Sequence, residues 1–195
     1  ILGAALPMLV AQILSLLYNI VDRIYIARIP SVGTTALGAV GLCFPIIVII
    51  TAFSNLFGSG GAPLFSINRG KGNIKKAEAI MNTSFSMLCI CGVALMVIGM
   101  LFASPILVLF GASEEGLSYA YPYMMIYLIG IVPSMIATGM NPFINAQGYA
   151  TSGMLSVTIG AVANLILDPL FIFGLNLGIK GAAIATIISQ TLSAA

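Results

Sequence analysis

Long apolar runs dominate the chain and recur at nearly regular intervals, over 3–27, 35–58, 79–102, 119–140, 152–173 and 180–195. Most reach about 20 residues, the length a helix needs to cross roughly 30 Å of hydrocarbon. Backbone polar groups in lipid must be satisfied internally, which leaves helical bundles or closed barrels. None of the runs alternates apolar and polar residues with a period of two, as barrel strands do. The pattern therefore predicts an all-α fold, a polytopic membrane bundle of six transmembrane helices.

The polar breaks between the runs carry turn chemistry. Arg28-Ile29-Pro30-Ser31-Val32-Gly33 separates the first two spans, and Arg69-Gly70-Lys71-Gly72-Asn73 leads into the third. Gly111-Ala112-Ser113-Glu114-Glu115-Gly116, Gln147-Gly148-Tyr149 and Gly174-Leu175-Asn176-Leu177-Gly178 precede the fourth, fifth and sixth. All five connections are short, so consecutive helices are expected to be antiparallel neighbours. The chain begins without Met and stops inside its sixth apolar run, and residues 1–195 are expected to be a fragment. The first run is too long, and lacks the basic flank, for a cleavable signal peptide.

Composition agrees with the pattern. Sixty percent of residues are hydrophobic and 6% charged, too few charges to cover a soluble surface. The net charge of +2 gives no reason to expect a nucleic-acid partner. Lys and Arg are unevenly placed: Arg69, Lys71, Lys75 and Lys76 cluster around the second connection. The positive-inside rule puts that connection, and the N-terminus, in the cytoplasm, with Glu114 and Glu115 outside. The chain has no His, so the commonest general base and a frequent metal ligand are missing. Neither a nucleophile motif nor metal-ligand spacing is present, and no enzyme activity is expected. Cys43, Cys89 and Cys91 lie in apolar runs and read as packing thiols rather than a disulfide framework.

Two acids lie within the predicted spans, Asp22 in the first and Asp168 in the fifth. Ionisable groups are costly at that depth and point to function by default. Both spans run the same way. Each acid sits about five residues before its helix end, or about 8 Å below the outer edge at 1.5 Å per residue. Asn164 shares a helical face with Asp168, four residues away. Thr186 lies at matching depth in the returning sixth span. Asp22, Asn164, Asp168 and Thr186 are thus candidates for an oxygen-rich cluster. Such a cluster suits a hard cation such as Na⁺, and a carboxylate held away from water serves equally to carry a proton. The competing reading is structural: each acid pairs with a cation, or Asp168, just before Pro169, patches a kinked helix. Arg23 is next to Asp22, but adjacent residues do not face each other on a helix.

Prolines in or beside the spans, among them Pro7, Pro45, Pro63, Pro133, Pro142 and Pro169, remove backbone donors and favour kinks. Gly58-Ser59-Gly60-Gly61-Ala62 suits a close helix contact. Gln12, Tyr18, Asn19, Tyr127 and Asn141 are candidate lining for a substrate cavity, with Ser54, Asn55, Thr138, Asn145 and Gln190 as further polar interruptions. Met124, Met125, Met135 and Met140 supply the adaptable surface that varied organic ligands favour. Ordinary interhelical packing is the plainer account of any one of them.

Several motifs in sequence carry a resemblance. They are Tyr18-Asn19-Ile20-Val21-Asp22-Arg23, Gly33 with Ala36-Leu37-Gly38-Ala39, and Gly70-Lys71-Gly72-Asn73-Ile74-Lys75-Lys76-Ala77. Asn145-Ala146-Gln147-Gly148, Asn164-Leu165-Ile166-Leu167-Asp168-Pro169 and Gly178-Ile179-Lys180-Gly181-Ala182-Ala183 complete the set. In this order and spacing the chain resembles the MATE (multidrug and toxic compound extrusion) family, in its bacterial MepA/DinF-like branch. The resemblance implies that residues 1–195 are the N-terminal six-helix lobe of a twelve-helix transporter, with the C-terminal lobe absent and the sixth helix cut short. It implies antiport of small organic, often cationic compounds against Na⁺ or H⁺ in a bacterial plasma membrane, with no cofactor beyond the coupling ion. It assigns the cation site to Asp22, Asn164, Asp168 and Thr186, and a helix-bending role to Pro7. Ala27 departs from a glycine frequent after this Asp motif. The partners expected are an organic substrate, the lipid bilayer and the missing lobe. Two rivals stay open: a flippase for a lipid-linked or polysaccharide precursor, and a non-transporting membrane scaffold. The flippase would need several cavity-facing cations, and only Arg23 lies within a span.

Overall fold

In the computed structural model, residues 2–30 and 32–195 are described, residues 2–4 by their backbone alone; Ser31, in the first predicted connection, lies outside them. The described chain is helical throughout: α1 (Leu2–Ala27), α2 (Gly33–Gly70), α3 (Ile74–Leu109), α4 (Glu114–Ile129), α5 (Ile131–Ala146), α6 (Ala150–Pro169) and α7 (Ile179–Ala194). A single π-helical turn, Leu170–Gly174, extends α6. The helices α4 and α5 follow each other as one bent pair. Four helices are long and apolar enough to cross a membrane, and the α4–α5 pair makes a fifth. The last helix, α7, has 16 residues and is not among them.

Three expectations need correction. First, the fourth span is not one helix: α4 and α5 meet at a bend of 58°. Gly130 forms the joint. Pro133 lacks the N–H that would bond the Ile129 carbonyl, and its ring crowds that carbonyl, so the helix cannot run through. The gap is packed: a Cβ on Gly130 would meet the Ile187 side chain of α7. Second, α2 and α3 run well past the predicted limits, to Gly70 and Leu109. The glycines at 58–61 do not stop α2, because lipid and neighbouring helices offer the backbone no better partner than itself. Asn73 then starts α3 by accepting a hydrogen bond from the Lys76 N–H at 3.2 Å. Third, α1 is not chiefly a neighbour of α2. It lies mainly along α6, where Tyr25 meets Phe173 edge to face at 6.4 Å.

The core lies among α2, α3, α4, α5 and α7. Leu88, Leu107, Met124, Leu128, Ile131 and Met135 are fully buried there. Small residues permit the closest approach, as between Gly58 on α2 and the Gly139 backbone on α5. The three thiols are free, and Cys43 is buried beside the Ala120 carbonyl. The other sides stay apolar and exposed, with Leu6, Leu16, Leu56 and Leu101 more than half uncovered. Lipid tolerates such surface where water does not.

Candidate functional site

The buried face of α6 runs Gly153, Gly160, Ala161, Asn164 and Asp168. Its small residues let α7 approach; a Cβ on Gly160 would touch Ser193 at 3.0 Å. The last two positions carry polar groups into the same sealed space. Asn164 is 1% exposed and Asp168 0%. The spacing of four places one above the other, and the Asn164 amide donates to Asp168 Oδ1 at 3.1 Å.

Asp22 comes to this pair from α1, half-buried, with its carboxyl within hydrogen-bonding reach of the Asp168 carboxyl. The structure thus brings together three of the four residues picked out by depth and helical face. Three of their oxygens, Asp22 Oδ1, Asn164 Oδ1 and Asp168 Oδ2, are buried and accept no hydrogen bond. Buried oxygens are normally satisfied, and each orphan costs about 1–3 kcal/mol. Two carboxyls and an amide oxygen, all hard donors, fit a hard cation or a shared proton. Thr186 stands on α7, partly buried, and its hydroxyl donates to the Ala182 carbonyl at 2.9 Å. Its proton is therefore committed to its own helix, its lone pairs remain available as acceptors, and no hydrogen bond joins it to the acids among the described residues.

The sequence reading overlooked Tyr123. It is 3% exposed on α4, stacks on Tyr127 with centroids 6.2 Å apart, and has both Asp22 and Asp168 among its charged neighbours. Tyr123 and Tyr127 are four apart, so both rings share one face, and that i,i+4 aromatic pair was the available signal. Tyr127 alone had been singled out. Tyr18, half-buried one turn before Asp22, has Ser15, Asn19 and Gln190 within reach. The acids are therefore walled by tyrosines from two helices.

The other candidates are dispersed. Gln12 is exposed on α1, and Asn19 folds back to donate to the Ser15 carbonyl at 2.7 Å. Helix α1 passes through Pro7 as one element. Asn141 does not join the acids. It donates to the Gly153 carbonyl at 2.9 Å and accepts from Asn145 at 3.0 Å, tying α5 to α6. Arg23 is exposed, with its guanidinium carbon 5.6 Å from the centroid of the Phe44 ring.

Comparison with known proteins gives a consistent result. The MatE family profile matches residues 7–170. A FAD transporter of Shewanella oneidensis is 31% identical over 193 residues, covering 97% of this chain and 42% of that protein. Multidrug export protein MepA of Staphylococcus haemolyticus is 30% identical over 189 residues, covering 97% of this chain and 41% of its own length. Among solved structures, the outward-facing conformation of a multidrug resistance MATE family transporter of the MOP superfamily superposes with a TM-score of 0.91. It is 27% identical, over 98% of this chain and 42% of that one. The chain thus spans about two fifths of the length of the relatives it matches.

Proposed function

The chain belongs to the MatE family, and on that premise we propose that residues 1–195 are the N-terminal lobe of a secondary active antiporter that exports small organic compounds in exchange for Na⁺ or H⁺. The observation that carries the proposal is the set of three buried, unpartnered oxygens on Asp22, Asn164 and Asp168. Two carboxyls facing each other without a cation repel. A Na⁺ or a proton between them removes the repulsion and draws α1 onto α6. The substrate occupies a cavity between this lobe and a second lobe, reached across Tyr18, Tyr123 and Tyr127.

Transport follows if the ion binds one state more tightly than the other, because only differential affinity shifts a conformational equilibrium. In one state α1 is docked on α6, the acids are adjacent and the ion is held. In the other, α1 moves relative to α6, the acids separate and the ion leaves. Pro7 supports such a motion, since its missing N–H leaves one bond fewer to break when α1 bends. The N-terminus lies in the cytoplasm of a bacterial cell, and the acids open to the outside. Thr186 contributes its hydroxyl oxygen to the ion.

The test uses the full-length protein in proteoliposomes with an imposed Na⁺ or H⁺ gradient and a fluorescent cationic dye as cargo. Wild type is expected to move dye against its gradient, and Asp168→Asn to lose the gradient-driven component. Full-rate uphill transport by Asp168→Asn sinks the coupling role. A second reading, export of a flavin dinucleotide, is favoured by the 31% identity to the FAD transporter. Supplying FAD in place of dye, under the same gradient, separates the two.

A further inference from the structure

Where α2 turns into α3, the bundle carries a cavity of about 270 Å³ that the transport reading leaves unused. Its depth follows from helix length. With 38 residues, α2 is about 57 Å long at 1.5 Å per residue, against roughly 40–45 Å for a bilayer with its headgroups. Shared between the two ends, the excess of about 12–17 Å carries the last turn of α2 about 6–8 Å past the headgroups and leaves Phe65, five residues before the helix end, at their edge. The cavity opens there, between Phe65 and Arg69 of α2, the first turns of α3, and Gln147 just after α5.

One wall is apolar. Phe65 is buried and held edge to face against Phe143 at 5.7 Å, and Ile74 and Met81 face the same space. The rim carries charges of both signs on different helices. Arg69 holds its guanidinium 6.0 Å from the centroid of the Phe65 ring, and Glu78 lines the cavity from α3. The Gln147 amide also lines it, and its N–H donates to Met81 Sδ at 3.7 Å. A thioether is a weak acceptor, so this donor is poorly satisfied and sits where an oxygen-bearing ligand would reach it.

We infer that this cavity binds the headgroup of a phospholipid bearing both a phosphate and a primary ammonium, as in phosphatidylethanolamine. The phosphate sits on Arg69 and the Gln147 amide, the ammonium on Glu78, and the glycerol end against Phe65, Ile74 and Met81. Both charges of the rim are then used. A purely anionic headgroup would leave Glu78 opposing it. The inference depends on the cavity and on helix length, not on the coupling ion or the direction of transport.

The experiment is native mass spectrometry of the full-length protein in detergent, titrated with phosphatidylethanolamine or phosphatidylglycerol of matched acyl chains. Wild type is expected to retain the ethanolamine lipid in preference. Arg69→Gln should weaken both lipids about fivefold, the contribution of one basic residue at a membrane surface. Glu78→Gln should erase the preference while leaving phosphatidylglycerol bound at least as well. Lys71→Gln, beside the cavity but not lining it, should leave the ratio unchanged. Arg69 and Glu78 are both exposed, so the variants are expected to elute and melt like wild type. Equal retention of the two lipids by wild type overturns the inference. So does a Lys71→Gln effect as large as that of Arg69→Gln, which marks diffuse attraction, or a preference that survives Glu78→Gln.

Discussion

Replacing Asp168 by Asn should separate ion binding from folding. The Asp168 side chain is fully buried, with Oδ1 accepting from Asn164 at 3.1 Å and Oδ2 unpartnered. An asparagine has the same shape. Its carbonyl oxygen takes the Oδ1 place and keeps the Asn164 bond, while its NH₂ takes the Oδ2 place and offers Asp22 a donor. No hydrogen bond is lost and the repulsion between the carboxyls is relieved, so stability without ion should equal or exceed that of wild type, by up to about 3 kcal/mol. The negative charge is lost. At ~4 Å and an effective dielectric of ~20, a carboxylate holds a cation by about 4 kcal/mol, so affinity should drop by at least a hundredfold. At an ion concentration of 100 Kd the wild type gains about 2.7 kcal/mol, and a variant with hundredfold weaker binding gains about 0.4 kcal/mol. Asp168→Ala differs: it strands the buried Asn164 donor at a cost of about 1–3 kcal/mol, whatever ion is present. The assay is thermal unfolding of the full-length protein in detergent, titrated with NaCl at fixed pH against choline chloride, then with pH at fixed salt. An ion-dependent shift in Asp168→Asn equal to that of wild type refutes the assignment of this carboxylate as a ligand.

Two further substitutions probe what positions the site. A Cβ on Gly58 would press on the Gly139 carbonyl and come within 2.9 Å of its Cα, whereas one on Gly60 meets nothing within 4 Å. Gly58→Ala should therefore lower stability by about 1–3 kcal/mol, and Gly60→Ala should raise it by up to about 1 kcal/mol through helix propensity. Melts showing the same sign for both would contradict the α2–α5 contact. Asn141→Ala removes the bonds to Gly153 and Asn145 and should cost about 1–3 kcal/mol, with the ion-dependent shift unchanged. Loss of that shift would tie Asn141 to the acids, contrary to its observed partners.

Much of the bundle was legible in hydropathy because lipid imposes one rule on every backbone group. Apolar runs of spanning length had to become helices, and they did. Two features lay beyond that rule. Hydropathy is blind to the break at Gly130, since glycine and proline are common in unbroken membrane helices and only the packing of Ile187 against the joint makes the bend specific. The partner of α1 is also invisible to chain order. Short connections suggest that α1 and α2 pack together, but the polar groups of α1 choose α6, where the other buried acid lies.

That choice explains why the site was more legible than the helix contacts that build it. An acid inside a membrane is so costly that it must be placed near something that tolerates it, and depth counting narrows the options to one layer. Asp22 and Asp168 were found this way, from positions that sequence encodes as residue counts, and Asn164 from its spacing of four on the same helical face, whereas Thr186, at matching depth, is not hydrogen-bonded to the acids. Tyr123 was not, because a tyrosine is not costly at that depth and carries no warning of its own. Its role comes from rotation about the α4 axis rather than from depth. The i,i+4 partner Tyr127 records that rotation, stacked on the ring that has both acids among its charged neighbours. A charge in lipid thus identifies the layer of a site, and the amphipathic residues one helical turn apart on neighbouring helices identify its walls.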